Sequence, residues 1–280
     1  MNPTREIFWN VGVLGHWTPY ILMVLMLAGV GYGIWRRWSL WSLGRGGPAF
    51  DRIGERLKGF LIYGPAHGRL LVQLFGGIMH LLIFWGFVAL FIGTTLVFIH
   101  EDLRIHILQG TFYLYFSFFL DLFGLGAIVG ILMAAGRRYL VRPDKLDNRL
   151  DNAVTLTLIF VVLATGYLVE AFRMASTELA QHPDWALWSP IGYQLANLFY
   201  EWGAQEASLR TWHTVSWWVH MLTSYGLQVY VGWFFLSHIV YSGLSIFFRN
   251  LEPQGALAPI TDFKVKESLG AGRIIDLPWK

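Results

Sequence analysis

The chain has 280 residues, 55% of them hydrophobic and only 14% charged, well below the quarter or so typical of soluble domains. It carries a net charge of +3 and no cysteine, which excludes disulfides, iron–sulfur ligation and covalent c-type haem attachment by this chain. No internal repeat, Gly-rich phosphate loop, Ser-His-Asp arrangement or close-spaced zinc motif stands in the sequence.

Five apolar blocks, each long enough to cross a bilayer, predict an all-α membrane protein. The first runs from Trp17 to Trp35, preceded by His16. It lacks a basic leader and ends at Arg36-Arg37, so it reads as a retained span rather than a cleavable signal. The second, Leu70 to Ile99, contains His80 one turn after Gly76-Gly77, with His67 just before it and His100 at its far end. The third, Thr111 to Gly136, contains Asp121, and the fourth, Asn152 to Val169, ends at Glu170. The fifth, Val215 to Phe248, holds His220 and His238, with His213 just before it.

The basic residues predict the orientation. Segments 36–69, 137–151 and the tail after Phe248 hold 17 of the 21 lysines and arginines. The expected architecture is therefore a five-transmembrane-helix bundle over 1–248, N-terminus outside, with 249–280 a cytoplasmic tail. The high pI follows from this asymmetry and does not argue for nucleic-acid binding.

Histidine is the informative residue type. His220 and His238 are 18 residues apart, five full turns of a regular helix, and His213 falls about 20° off the same face. A membrane histidine has three ordinary uses: a packing hydrogen bond, a proton relay, or a metal ligand. A relay recruits carboxylates, and the interior offers few. Axial ligation of haem b fits three imidazoles on one face of an aromatic-rich bundle. His80 lies 11 residues past Arg69 and His238 lies 11 before Arg249, which puts both roughly 16 Å deep if the helices are regular. They form the first expected ligand pair. Gly76 and Gly77 serve either approach of the macrocycle or close helix packing. His220 would hold a second haem. Its partner stays open between His16 and His100, at about the right height, and His67 on the inner side, about 140° from His80 around a regular helix. His106 and His182 fall in loops and are expected to face water.

Several stretches resemble a known family. GGIMHLLIFWGFVALFIGT, FLDLFGLGAIVG, RPDKLDNRLDNAVTL with TGYLVEAFR, WHTVSWWVH and LSHI are similar to segments of the dihaem gamma subunit of respiratory nitrate reductase. The closer likeness is to the NarI-like cytochrome b membrane domains of heterodisulfide-reductase-type proteins, which include iron–sulfur oxidoreductases serving electron-transfer flavoprotein. The resemblance implies one or two haems b and a chain in the inner (cytoplasmic) membrane. It implies a subunit of an oxidoreductase complex that passes electrons between a quinone, such as menaquinone, and a cytoplasmic iron–sulfur partner. A c-type cytochrome or a flavoprotein would be a further subunit. The tail SLGAGRIIDLPWK resembles the linker that leads to a ferredoxin-like domain in fused members. The nitrate reductase subunit takes two ligands from its second helix at shorter spacing. Here position 90 is Leu, and forcing that layout would pair His67 with His238 and His80 with His220. For the quinone site the resemblance leaves His213, Glu170 and Asp121 as proton-exchanging candidates, with Glu170 alternatively paired to Arg173 one turn on. Arg69, Arg173 and Arg210 stand as partners for haem propionates or as interfacial anchors. The alternative to all of this is a haem-free membrane anchor for a peripheral redox complex.

Overall fold

The structure is a computed structural model that describes residues 2–43, 50–144 and 146–252. Among these residues ten α-helices follow in chain order: α1 Gly12–Trp41, α2 Ile53–Tyr63, α3 Leu74–Glu101, α4 Gly110–Ala135, α5 Leu150–Ser176, α6 Glu178–Gln181, α7 Pro183–Ala186, α8 Pro190–Glu201, α9 Glu206–Trp233 and α10 His238–Phe247. No strand occurs among the described residues. Among the described residues, four helices are long and apolar enough to cross a membrane, five if α9 and α10 form one bent span. At 28 residues, α3 is about 42 Å long, longer than a hydrocarbon core of about 30 Å. The 249–280 segment expected as a tail lies almost wholly outside the described residues.

The chain forms two compact units, Met1–Met26 with Gln73–Gln228, and Leu27–Val72 with Val229–Lys280. In the first, α3 and α4 pack through glycines. A Cβ on Gly86 would lie 2.6 Å from Ala127 Cβ and 2.9 Å from the Phe123 carbonyl, and one on Gly130 would lie 3.0 Å from the Met79 carbonyl. Such approach replaces the hydrophobic driving force that lipid removes. Gly86→Val therefore forces the helices apart and lowers the thermal midpoint in detergent, at a cost of about 1–3 kcal/mol. A midpoint equal to that of the parent would mean the seam is loose. A second layer forms where α5 and α8 enclose Ala171, Met174, Ala196 and Phe172.

In the second unit, two arginines hold helix ends. Arg37 of α1 donates to the Gly232 and Trp233 carbonyls, each at 2.9 Å, and to the Tyr241 hydroxyl at 3.2 Å. These carbonyls sit at the end of α9, where the chain makes a 3₁₀ turn, Phe235–Ser237, and restarts as α10 with a 41° bend. The fifth block is thus two helices rather than the regular helix its composition predicts, and the five-turn arithmetic from His220 to His238 does not carry through the break. No proline marks it; the guanidinium supplies partners for the freed carbonyls. Arg56, 3% exposed, likewise donates to the Phe247 and Arg249 carbonyls at 3.0 and 2.9 Å and to Asp51 at 2.7 Å. Its hydrogen bond holds the Asp51 carboxyl below the usual carboxylate range. These two of the basic residues that set the expected orientation are joints as well.

Two other predicted boundaries shift. The second block begins as a 3₁₀ turn at Leu70–Val72, and its α-helix starts at Leu74. His67 lies before both, with φ of 54° and Nδ1 2.9 Å from the Pro65 carbonyl. It is therefore not on the helix of His80, and neither the 140° relation nor the depth counted from Arg69 applies. The region after Val169 is also no simple loop. Helix α5 continues to Ser176, and α6 to α8 follow.

Candidate functional site

His220 is the histidine whose surroundings are most specific. It projects from α9 onto α5, where its Nδ1 lies 3.0 Å from the Val162 carbonyl and 3.2 Å from Thr165 Oγ1. A carbonyl only accepts, so Nδ1 carries the proton and Nε2 carries the lone pair. Gly166 makes room: a Cβ there would lie 3.2 Å from His220 Cε1. A backbone carbonyl on one ring nitrogen is the arrangement that fixes the tautomer of a ligating imidazole.

The neighbouring helices show what shares its level. Leu163 of α5, beside Val162, packs with Ala127 and Ile131 of α4, and Ala127 lies against Gly86 of α3. From α3, Ile83 and Leu90 pack against the same cluster, with Gly86 between them, so it meets α3 over the stretch that begins three residues past His80. On the other side, Trp217 lies at Gly15 of α1, and the Tyr225 hydroxyl donates to the Pro19 carbonyl at 2.7 Å. Between these two contacts lie His16 on α1 and His220 on α9. The ring of His16 packs on Phe8 at 4.7 Å.

His100 has another task. The Leu108 amide donates to its Nδ1 at 3.0 Å, which uses the lone pair an iron would need and ties down the α3–α4 loop. His106 is exposed, and the His182 ring stacks on Trp185 at 3.8 Å. His80 is half-buried near Phe84. His238 begins α10, immediately after the break. His80 and His220 belong to the first unit, His67 and His238 to the second.

The carboxylates divide by role. Asp121, 3% exposed, accepts from the backbone amides of Ile191 at 2.8 Å and Gly192 at 3.1 Å. It caps α8 from α4, a favourable place for a carboxylate at a helix N-terminus. Asp121→Ala leaves two amides without their acceptor and destabilises by about 1–2 kcal/mol, read as faster proteolysis around α8. Unchanged proteolysis would show the cap to be dispensable. Glu170 accepts from Ser189 Oγ at 3.1 Å. Its expected partner, Arg173, instead pairs with Glu178 at 2.5 Å, both side chains 9% exposed. The Tyr113 hydroxyl joins them, 3.3 Å from the same Glu178 oxygen. Glu178 lies in a stretch read as loop, though Pro183 and Pro190, both at helix first-turn positions, and Ser189 before Pro190 signal helix starts there.

His213 differs from the other histidines. It is 2% exposed, its ring lies 4.7 Å from Trp9, and its Nδ1 has no hydrogen-bond partner. Arg210 covers the other ring of that pair, 5.1 Å from the Trp9 centroid, and pairs with Glu206 at 2.9 Å. Of the arginines expected near haem propionates, Arg173 and Arg210 are thus engaged with carboxylates, and Arg69 is exposed. Gly76 accommodates Arg137: a Cβ there would lie 2.9 Å from the guanidinium. Among the described residues, no group of three or more His, Asp or Glu is placed to hold a metal ion.

No family model matches the chain, and no solved structure matches it. It is 30% identical over 286 residues to the protein named "EtfAB:quinone oxidoreductase" of Syntrophomonas wolfei subsp. wolfei, an alignment covering 99% of this chain and 39% of that one. It is 28% identical over 233 residues to "Probable iron-sulfur-binding oxidoreductase FadF" of Bacillus subtilis, covering 81% of this chain and 32% of that one. The chain therefore spans well under half the length of the curated relatives it matches.

Proposed function

We propose that this chain is the membrane electron-transfer part of a quinone-linked oxidoreductase, a b-type cytochrome working with an iron–sulfur partner. Likeness to proteins named for quinone and for iron–sulfur binding supports the first half of that reading. The observation that carries the haem is His220, with Nδ1–H on the Val162 carbonyl, Nε2 left with its lone pair, and Gly166 clearing the ring. The proposed ligands are His220, His80 and His238. We assign His80 and His220 to different haems, and His16, which lies between the Gly15–Trp217 and Pro19–Tyr225 contacts of α1 with α9, is the favoured residue opposite His220. When bound, such haems would accept and pass on single electrons.

The residues of the chain would handle the protons. Of the carboxylate candidates, Asp121 is tied into a helix cap and Glu170 accepts from Ser189. His213 is sealed against Trp9 with a free nitrogen, and it is our candidate for exchanging a proton with a quinone oxygen. The proposed setting is the cytoplasmic membrane, N-terminus outside, the basic ends of the spans facing an iron–sulfur subunit of heterodisulfide-reductase type, with flavoprotein or c-type cytochrome subunits beyond. A short-chain quinone added anaerobically to the dithionite-reduced, desalted chain tests this. The account expects reoxidation of the b-type band, slowed at least tenfold in His213→Phe. Reduced haem that persists with quinone would remove the quinone from the proposal.

A further inference from the structure

We infer that α2 is an interfacial helix, its Ile53, Leu57 and Leu61 stripe lying among lipid at the headgroup boundary. The helix has three sectors. Arg56 and Gly59 are buried toward α10 and Arg249. Glu55 and Lys58 are exposed on another side. Ile53, Leu57 and Leu61, exposed by 56%, 48% and 51%, fall within an arc of about 80° between them.

Depth follows from the neighbours in the same unit. Helix α1 ends in exposed Trp35 and Trp38 and in Trp41, whose ring meets Tyr241 of α10 at 5.1 Å. Aromatic belts of this kind mark the membrane–water boundary. Arg56 holds the end of α10 at the Phe247 carbonyl, and the chain just beyond it at Arg249; Phe247 is six residues past Tyr241, so this contact lies about 9 Å beyond the tryptophan level along α10. Val240 and Leu244 of α10, in the same unit, are exposed apolar residues as well. A short amphipathic helix with basic residues beside its apolar face is stabilised there by apolar burial and by anionic headgroups. This inference is independent of the haem reading. The competing occupant is a protein partner docked on the same stripe.

The absence of cysteine makes single labels unambiguous. The full chain, carrying Leu57→Cys with a nitroxide, is reconstituted in vesicles of phosphatidylethanolamine and phosphatidylglycerol. Collision with oxygen, enriched in lipid, is compared with collision with a water-soluble nickel chelate, using Glu55→Cys as reference. The inference expects an oxygen-to-nickel ratio at 57 at least threefold that at 55, with Leu61→Cys matching 57. Equal ratios at the two positions place the stripe in water and overturn it. A label at 57 immobile and shielded from both reagents means protein covers the stripe, and overturns it equally.

Discussion

His220→Ala lowers the haem content of the purified chain by one per molecule, His80→Ala lowers it by one, and the double variant loses both. The expectation follows from two observations. His220 has its tautomer fixed by the Val162 carbonyl, so alanine removes an aligned ligand rather than one of several interchangeable rings. His16 of α1 lies between the Gly15–Trp217 and Pro19–Tyr225 contacts that join α1 to α9 on either side of His220, so the proposal pairs His220 with His16 and leaves His80 to another iron. Gly166→Leu should reproduce the His220→Ala loss with every histidine in place, because its side chain displaces the ring. Haem is counted as the pyridine complex against protein by amino-acid analysis, on material that keeps its size-exclusion profile. If either single variant loses as much haem as the double, the two residues share one iron and the separate assignment fails.

Arg173→Leu destabilises the protein by about 3–5 kcal/mol, since it leaves the Glu178 carboxylate buried without its partner. The pair lies at 2.5 Å with both side chains 9% exposed, so little water reaches the orphaned charge. Adding Glu178→Leu to Arg173→Leu should recover most of the loss, because a matched apolar pair avoids the desolvation cost altogether. Thermal melting in detergent, followed by intrinsic tryptophan fluorescence, measures both. A single variant melting with the parent would show that the pair is solvated and that the α5–α6 joint does not depend on it.

How far the sequence reached depended on whether partners were local. The apolar blocks follow from composition, and helices α1, α3, α4 and α5 form where hydropathy places them. The break before His238 was invisible because the group that satisfies its carbonyls is Arg37, 195 residues from the Gly232 carbonyl. The sequence identified Asp121 as an unusual intramembrane acid, but its partners are amides about 70 residues away, so its capping role was not legible. Arg173 looked toward Glu170, one turn back, because helix periodicity is the strongest pairing rule a sequence provides. The fold turned it to Glu178 instead. For the histidines, residue type and spacing selected the candidates, while backbone acceptors separated them: Val162 orients His220, and the Leu108 amide occupies His100.

The most direct measurement is the reduced-minus-oxidised optical spectrum of the purified parent chain, with haem counted per molecule. The account predicts a b-type α-band and two haems per chain. A featureless spectrum from folded, monodisperse protein would contradict it and leave a membrane anchor without redox chemistry of its own.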